Sequence, residues 1–117
     1  MRMETSIELP LFVHWEKTLK DILSRTEKFP KRIRFSLSSR IDNLAFDIFE
    51  KIVEARYAKD KTAALSQASL SLEKLRVLLR ISHDERHLDN KGFEHVCRNI
   101  DEVGRMLGGW IRSRGAK

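Results

Sequence analysis

The sequence predicts an all-α protein, an antiparallel up-down four-helix bundle in a single domain over residues 1–117. Three observations predict it. The 117 residues include only two prolines and five glycines, too few turn formers for many short strands. Apolar residues recur at helical spacing over four long segments, and nothing reads as a strand. The connections between these segments are short, roughly 2–5 residues, so sequential helices should be antiparallel neighbours. A chain of this length can bury one core without disulfide or metal staples.

The first helix is expected over residues 10–28. Pro10 suits its first turn, where a missing N–H removes no helical hydrogen bond. Leu11, Trp15, Leu19, Ile22 and Leu23 form one apolar stripe. The second helix is expected to run unbroken over residues 30–58, with Pro30 at its start by the same logic. Ile33, Ile41, Leu44, Ala45, Ile48 and Ile52 make its core stripe. The third is expected over residues 62–87, with Leu65, Ala68, Leu72, Leu75 and Leu79 facing inward. The fourth is expected over residues 90–113, opened by Asp89 and Asn90, both good N-caps. Its inward face carries Phe93, Val96, Cys97, Ile100, Val103, Leu107, Trp110 and Ile111. The ends, residues 1–8 and 114–117, are expected to fray.

Helices two and three carry more apolar surface than one core absorbs. Beside its core stripe the second helix places Phe35, Phe46, Phe49, Val53 and Tyr57, an apolar arc of roughly 240° in all. The third repeats the excess with Leu70, Val77 and Ile81. Four helices around one axis have no central member, so a second apolar stripe needs a second partner. These eight residues are the expected oligomer interface.

The chain carries 23 basic against 17 acidic residues, a net charge of +6. Such a balance points to an anionic partner, and RNA or DNA is the expected one. The alternative is a basic surface that only confers solubility. No apolar run approaches a membrane span, and the acids and proline near the N-terminus do not read as a signal peptide. One cysteine precludes an intrachain disulfide and suits a reducing compartment, so a cytoplasmic protein is expected.

Two basic groups are candidate nucleic-acid contacts. Lys31, Arg32 and Arg34, with Lys28, surround the start of helix two, and no acid lies between residues 28 and 40. Arg76, Arg80, His83 and His87 follow i, i+4, i+7, i+11 and would form one stripe on helix three. Guanidinium forks match phosphate geometry, and the histidines add charge in acid. The competing reading of that stripe is a solvated face with ion pairs to Glu73, Asp84 and neighbouring helices. The outer face of helix four interleaves Lys91, His95, Arg98, Arg105 and Arg112 with acids, and reads as mixed and solvated.

His83 and His87 also share the i, i+4 spacing of a metal-binding pair. Neither His14 nor His95 stands at a spacing that recommends it as a third ligand, so no metal site is expected. Cys97 reads as a buried, inert thiol. Gly104, Gly108 and Gly109 read as packing positions that admit a close helix or Trp15. No phosphate loop, nucleophile elbow or di-iron Glu-x-x-His pattern is present. The chain is therefore read as non-enzymatic and without a cofactor.

Three runs carry a family resemblance: FPKRIRFSLSSRIDNLAFDIFEKIVEARY (29–57), LEKLRVLLRISHDERHL (72–88) and EHVCRNIDEVGRMLGGW (94–110). Together and in this order they resemble Avd, the accessory variability protein of bacterial diversity-generating retroelements. A wider relative is the four-helix-bundle family encoded in intervening sequences of bacterial ribosomal RNA genes. That branch typically has an asparagine- and glycine-containing stretch where this chain reads DIFEKIVEARY, which favours Avd. The resemblance implies a pentameric barrel of four-helix bundles. It also implies binding to a reverse transcriptase and to template RNA in mutagenic retrohoming. The alternative is a structural homo-oligomer of the intervening-sequence type with no retroelement role.

Overall fold

The structure is a computed structural model and describes residues 8–115. It holds four α-helices: α1 (Glu8–Thr26), α2 (Ser39–Tyr57), α3 (Lys61–Asp84) and α4 (Asn90–Gly115). There is no strand among the described residues. The principal contacts join α1 to α2, α2 to α3, α3 to α4 and α4 back to α1. The chain measures 46 × 24 × 21 Å. With helices about 10 Å across, that is a bundle two helices thick in each short direction.

Contacts between the helices show their directions. Phe12 meets Phe49, Trp15 meets Ala45 and Thr26 meets Asp42, so α1 ascends as α2 descends. Arg76 with Asp101 and His83 with Phe93 give the same opposition between α3 and α4. The core contains the apolar stripes the periodicity predicts. Leu11, Trp15 and Ile22 of α1 are buried, as are Ile41, Ala45, Ile48 and Ile52 of α2. They meet Leu65, Leu72, Leu75 and Leu79 of α3, and Val96, Ile100, Val103 and Leu107 of α4. Each such large side chain contributes about 1.5–3 kcal/mol when taken from water. Trp15 is fully buried, and its indole N–H donates to the Ala45 carbonyl at 3.0 Å. That bond satisfies the one polar atom such a ring brings into a core.

The second helix is not continuous from Pro30. Pro30 is extended, at φ −57° and ψ 142°. A 3₁₀ turn follows (Lys31–Ile33), then a π turn (Arg34–Ser38), and regular α-winding starts only at Ser39. Tight and wide turns rotate the chain by different amounts per residue, so a wheel drawn at α-helical spacing does not hold before Ser39. Ile33 is consequently only half-buried. The other ends shift by a few residues. Glu8, expected to fray, is helical and buried, α1 stops at Thr26, and α4 continues through Arg114 to Gly115. The remaining terminal positions, 1–7 and 116–117, lie outside the described residues.

α3 ends at Asp84 rather than near residue 87, for a visible reason. Arg86 has a left-handed backbone, φ 66°. Its N–H donates to the His83 carbonyl at 3.0 Å, and the His87 N–H donates to the Ser82 carbonyl at 2.8 Å. This is the Schellman arrangement, with arginine where glycine is usual. Three other helix ends are also capped by side chains. Asp60 accepts from the N–H groups of Thr62 and Ala63. The Lys61 ammonium donates to the carbonyls of Ala55 and Arg56 at the end of α2, at 2.7 and 3.1 Å. Asp89 accepts from the Gly92 N–H at 2.7 Å.

The glycines expected to admit a close neighbour have room to spare. A Cβ on Gly104 would lie 3.6 Å from Leu72, an ordinary contact, and one on Gly108 or Gly109 would meet only Arg112. Gly92 is the crowded position, where a Cβ would stand 2.5 Å from the Arg25 guanidinium.

Two predictions follow from these contacts. Arg86→Gly should stabilise the chain by about 0.5–1 kcal/mol, because the left-handed conformation costs an L side chain more than glycine loses in chain entropy. A raised urea midpoint at unchanged slope would show it. The second concerns Asp42, whose Oδ1 accepts from the Thr26 hydroxyl at 2.7 Å. Burial raises the Asp42 pKa above the ordinary carboxylate value, and the Thr26 bond lowers it by less. The folded chain therefore holds the Asp42 proton more tightly than the unfolded chain. That contribution is fully present below the unfolded pKa and is lost as pH rises through the folded one. Urea titrations from about pH 3 to about pH 6 should show Asp42→Asn gaining stability relative to the wild type as pH rises.

Candidate nucleic-acid interface and exposed apolar face

The up-down course brings the α1–α2 and α3–α4 connections to the same end of the bundle. Lys31, Arg32 and Arg34 are exposed there, on the 3₁₀ and π turns. None of them forms an ion pair with a described residue. Phe29, buried just before this segment, packs at a tilt against His87 with ring centroids 5.6 Å apart, which brings the α3–α4 turn beside the basic cluster. His83 lies at the same end. It stacks on Phe93 at 4.4 Å, and its Nε2 lies 2.7 Å from the Asn90 Oδ1, to which the ring N–H donates. Arg80 is exposed one turn back along α3 and is likewise without a described ion-pair partner.

The stripe expected on α3 is broken at both ends. His87 lies beyond the left-handed turn at Arg86 and so shares no helix face with His83. The two histidines are therefore not an i, i+4 helical pair. Among the described residues no group of three or more His, Cys, Asp or Glu side chains is arranged to hold a metal ion. Arg76 is engaged by acids. It bonds Asp101 of α4 and lies 3.4 Å from Glu73. The hydrogen bond to Asp101 is the main cause raising its pKa above the usual arginine value. The charge of Arg76 is thus spent within the chain. On α4, Arg98 pairs with Glu94 and Arg105 with Glu102, the mixed face the sequence predicts.

Cys97 is half-buried rather than buried. Burial is the first cause of its raised pKa, followed by Asp101, with Arg76 opposing. A thiol held in its neutral form is a poor nucleophile.

The second apolar stripes of α2 and α3 remain largely uncovered in the single chain. Phe35 is 89% exposed, Tyr57 58%, Leu70 57%, and Phe46, Val77 and Ile81 are close to 40%. Phe49 and Val53 are half-buried, and the Phe49 ring packs on Phe12 of α1 at 5.1 Å. Part of the surplus on α2 is therefore absorbed within the chain. Between the two helices runs a groove of 720 Å³. Phe35, Leu44 and Val77 give it an apolar wall, and Arg40, Asp47 and Lys74 give it charge.

A second cavity, of 410 Å³, lies between the end of α1 and the π turn. Thr26, Ser38 and Asp42 contribute polar groups to it, and Lys31 and Arg34 border it. Sequence periodicity does not single out these polar positions. The only signal is that Ser38 and Asp42 stand one turn apart beside the stripe of Ile41 and Ala45.

No described helix is long and apolar enough to cross a membrane. No curated protein matches the chain. A family profile described as bAvd-like matches residues 12–114, from α1 almost to the end of α4. A match over that span, on the all-helical bundle just described, places the chain in the bAvd-like family.

Proposed function

We propose that this chain is a non-enzymatic accessory protein that self-associates through α2 and α3 and holds RNA or DNA on its basic end. The observation that carries the reading is the family match joined to the surplus apolar surface. Five large apolar side chains stand exposed on α2 and α3, and Phe35 adds a sixth from the π turn before α2. Burying each contributes about 1.5–3 kcal/mol, and several together offset the entropy lost on association. The Avd resemblance implies five subunits in a ring. Such a ring would present the cluster of Lys31, Arg32 and Arg34, with Arg80, His83 and His87 nearby, five times over. Repetition turns a weak single-site attraction into avid binding of one long strand. The same resemblance implies a reverse transcriptase as protein partner in diversity-generating retrohoming, and the single cysteine suits action in the cytoplasm.

A second reading, a structural oligomer of the intervening-sequence type, has one observation in its favour. Arg76, Arg98 and Arg105 are paired with acids inside the chain, so much of the basic surface is neutralised locally. Titration of the wild type with RNA at low salt separates the two readings, since the structural oligomer binds none.

Three variants test the proposal. Phe46→Asp with Val77→Asp should sediment as a smaller species than the wild type, and a wild-type monomer at tens of micromolar would exclude self-association. Lys31→Glu, Arg32→Glu and Arg34→Glu together should weaken RNA binding across all sequences and flatten its dependence on salt. Arg76→Ala should weaken it less, because its charge is already paired.

A further inference from the structure

The 410 Å³ cavity beside the basic cluster combines features that no contact within the chain accounts for. Ser38, which lines it, is 6% exposed, and its hydroxyl is buried with no hydrogen-bond partner. A buried hydroxyl without a partner costs stability, so this position calls for a group from outside the chain. Asp42 accepts from Thr26 through Oδ1, while its second oxygen bonds no described residue. Leu23, Phe29 and Pro30 provide apolar wall. Lys31 and Arg34 stand exposed at the border. The lining is completed by Glu27, also exposed.

These features select among ligands. A simple anion would meet the Asp42 carboxyl and Glu27. A lipid chain would leave the Ser38 hydroxyl and the second Asp42 oxygen without partners. A flat ring with apolar faces, a hydrogen-bonding edge and an attached negative charge satisfies every group. The volume lies within the range of about 300–1,000 Å³ typical of small-molecule sites. We propose that the cavity takes one unstacked base of a single-stranded nucleic acid, a base bearing an exocyclic amino group, with its phosphate against Lys31 and Arg34. Single strands are commonly read through splayed bases held on apolar or aromatic walls. The Asp42 carboxylate accepts from the amino group, as acidic side chains do from cytosine. Ser38 forms part of the wall against which the base lies. The proposal rests on the nucleic-acid reading above and adds to it a site and a base preference.

The test compares oligocytidylate with oligouridylate of equal length, and each with a duplex, at fixed salt. The wild type should prefer oligocytidylate by about tenfold, the weight of one charge-assisted hydrogen bond. Asp42→Asn should remove the preference. Ser38→Leu, which fills the cavity without altering charge, should weaken oligocytidylate binding by a similar factor. Both variants should keep the wild-type helicity, salt slope and duplex affinity. A wild type indifferent to the base, or both variants binding oligocytidylate as the wild type does, overturns the pocket and leaves the basic cluster standing. A wild type that binds no strand even at low salt overturns the cluster and the pocket together.

Discussion

A bundle of four helices encloses a single axis, and each helix can turn only one face towards it. Most of the architecture follows from that limit. α1 and α4 each bury one main apolar stripe, although Leu9 and Val13 at the start of α1 stay exposed. α2 and α3 carry two, and the core accepts only the stripe of Ile41, Ala45, Ile48 and Ile52 on one helix and of Leu65, Ala68, Leu72, Leu75 and Leu79 on the other. The surplus is divided. Phe12 of α1 reaches round to cover Phe49, while Phe35, Phe46, Tyr57, Leu70, Val77 and Ile81 stay open to solvent. The apolar face proposed for self-association is therefore the remainder left by core packing, and its place on α2 and α3 is set by which helices had more to bury.

The same up-down course governs the electrostatics. Short connections return the chain to the end it left, so the start of the α2 segment and the end of α3 meet there although about 50 residues separate them in sequence. Phe29 against His87 is the contact that joins them. The cations at this end differ in what they can offer a ligand. Lys31, Arg32 and Arg34 stand on turns that face solvent and hold no acid. Arg76, further along α3, lies across from Asp101 of α4 and is satisfied by it. A paired guanidinium must first give up its partner before it can take a phosphate, whereas an unpaired one exchanges only water and counterions.

The irregular entry to α2 links these two themes. The 3₁₀ and π turns lift Lys31, Arg32 and Arg34 outward. They also bring Ser38 and Asp42 beside Thr26 at the end of α1. The result is a buried, incompletely satisfied polar group next to an exposed basic cluster. Polar groups that cost stability where they stand are a common mark of a binding site. Here the cost is visible as an unpartnered hydroxyl at Ser38 and a carboxyl at Asp42 held towards its neutral form.

The sequence by itself determined the fold class, the four helices and nearly every core position, because helical periodicity is a local property and each stripe repeats over several turns. It also carried the family, through three long runs, and the excess of apolar surface on α2 and α3. Tertiary structure decided the rest, and for Arg76 and the cavity the deciding interaction is non-local. The end of α3 depends on a left-handed Arg86, which no composition rule predicts for arginine. The break before Ser39 follows an extended Pro30 and a 3₁₀ and a π turn, where periodicity alone expects a continuous helix. Arg76 is neutralised by an aspartate 25 residues away. The cavity at Thr26, Ser38 and Asp42 exists only because an antiparallel neighbour places polar residues 16 positions apart within hydrogen-bond distance. Periodicity reports which way a side chain faces along its own helix, and only packing reports what it meets there.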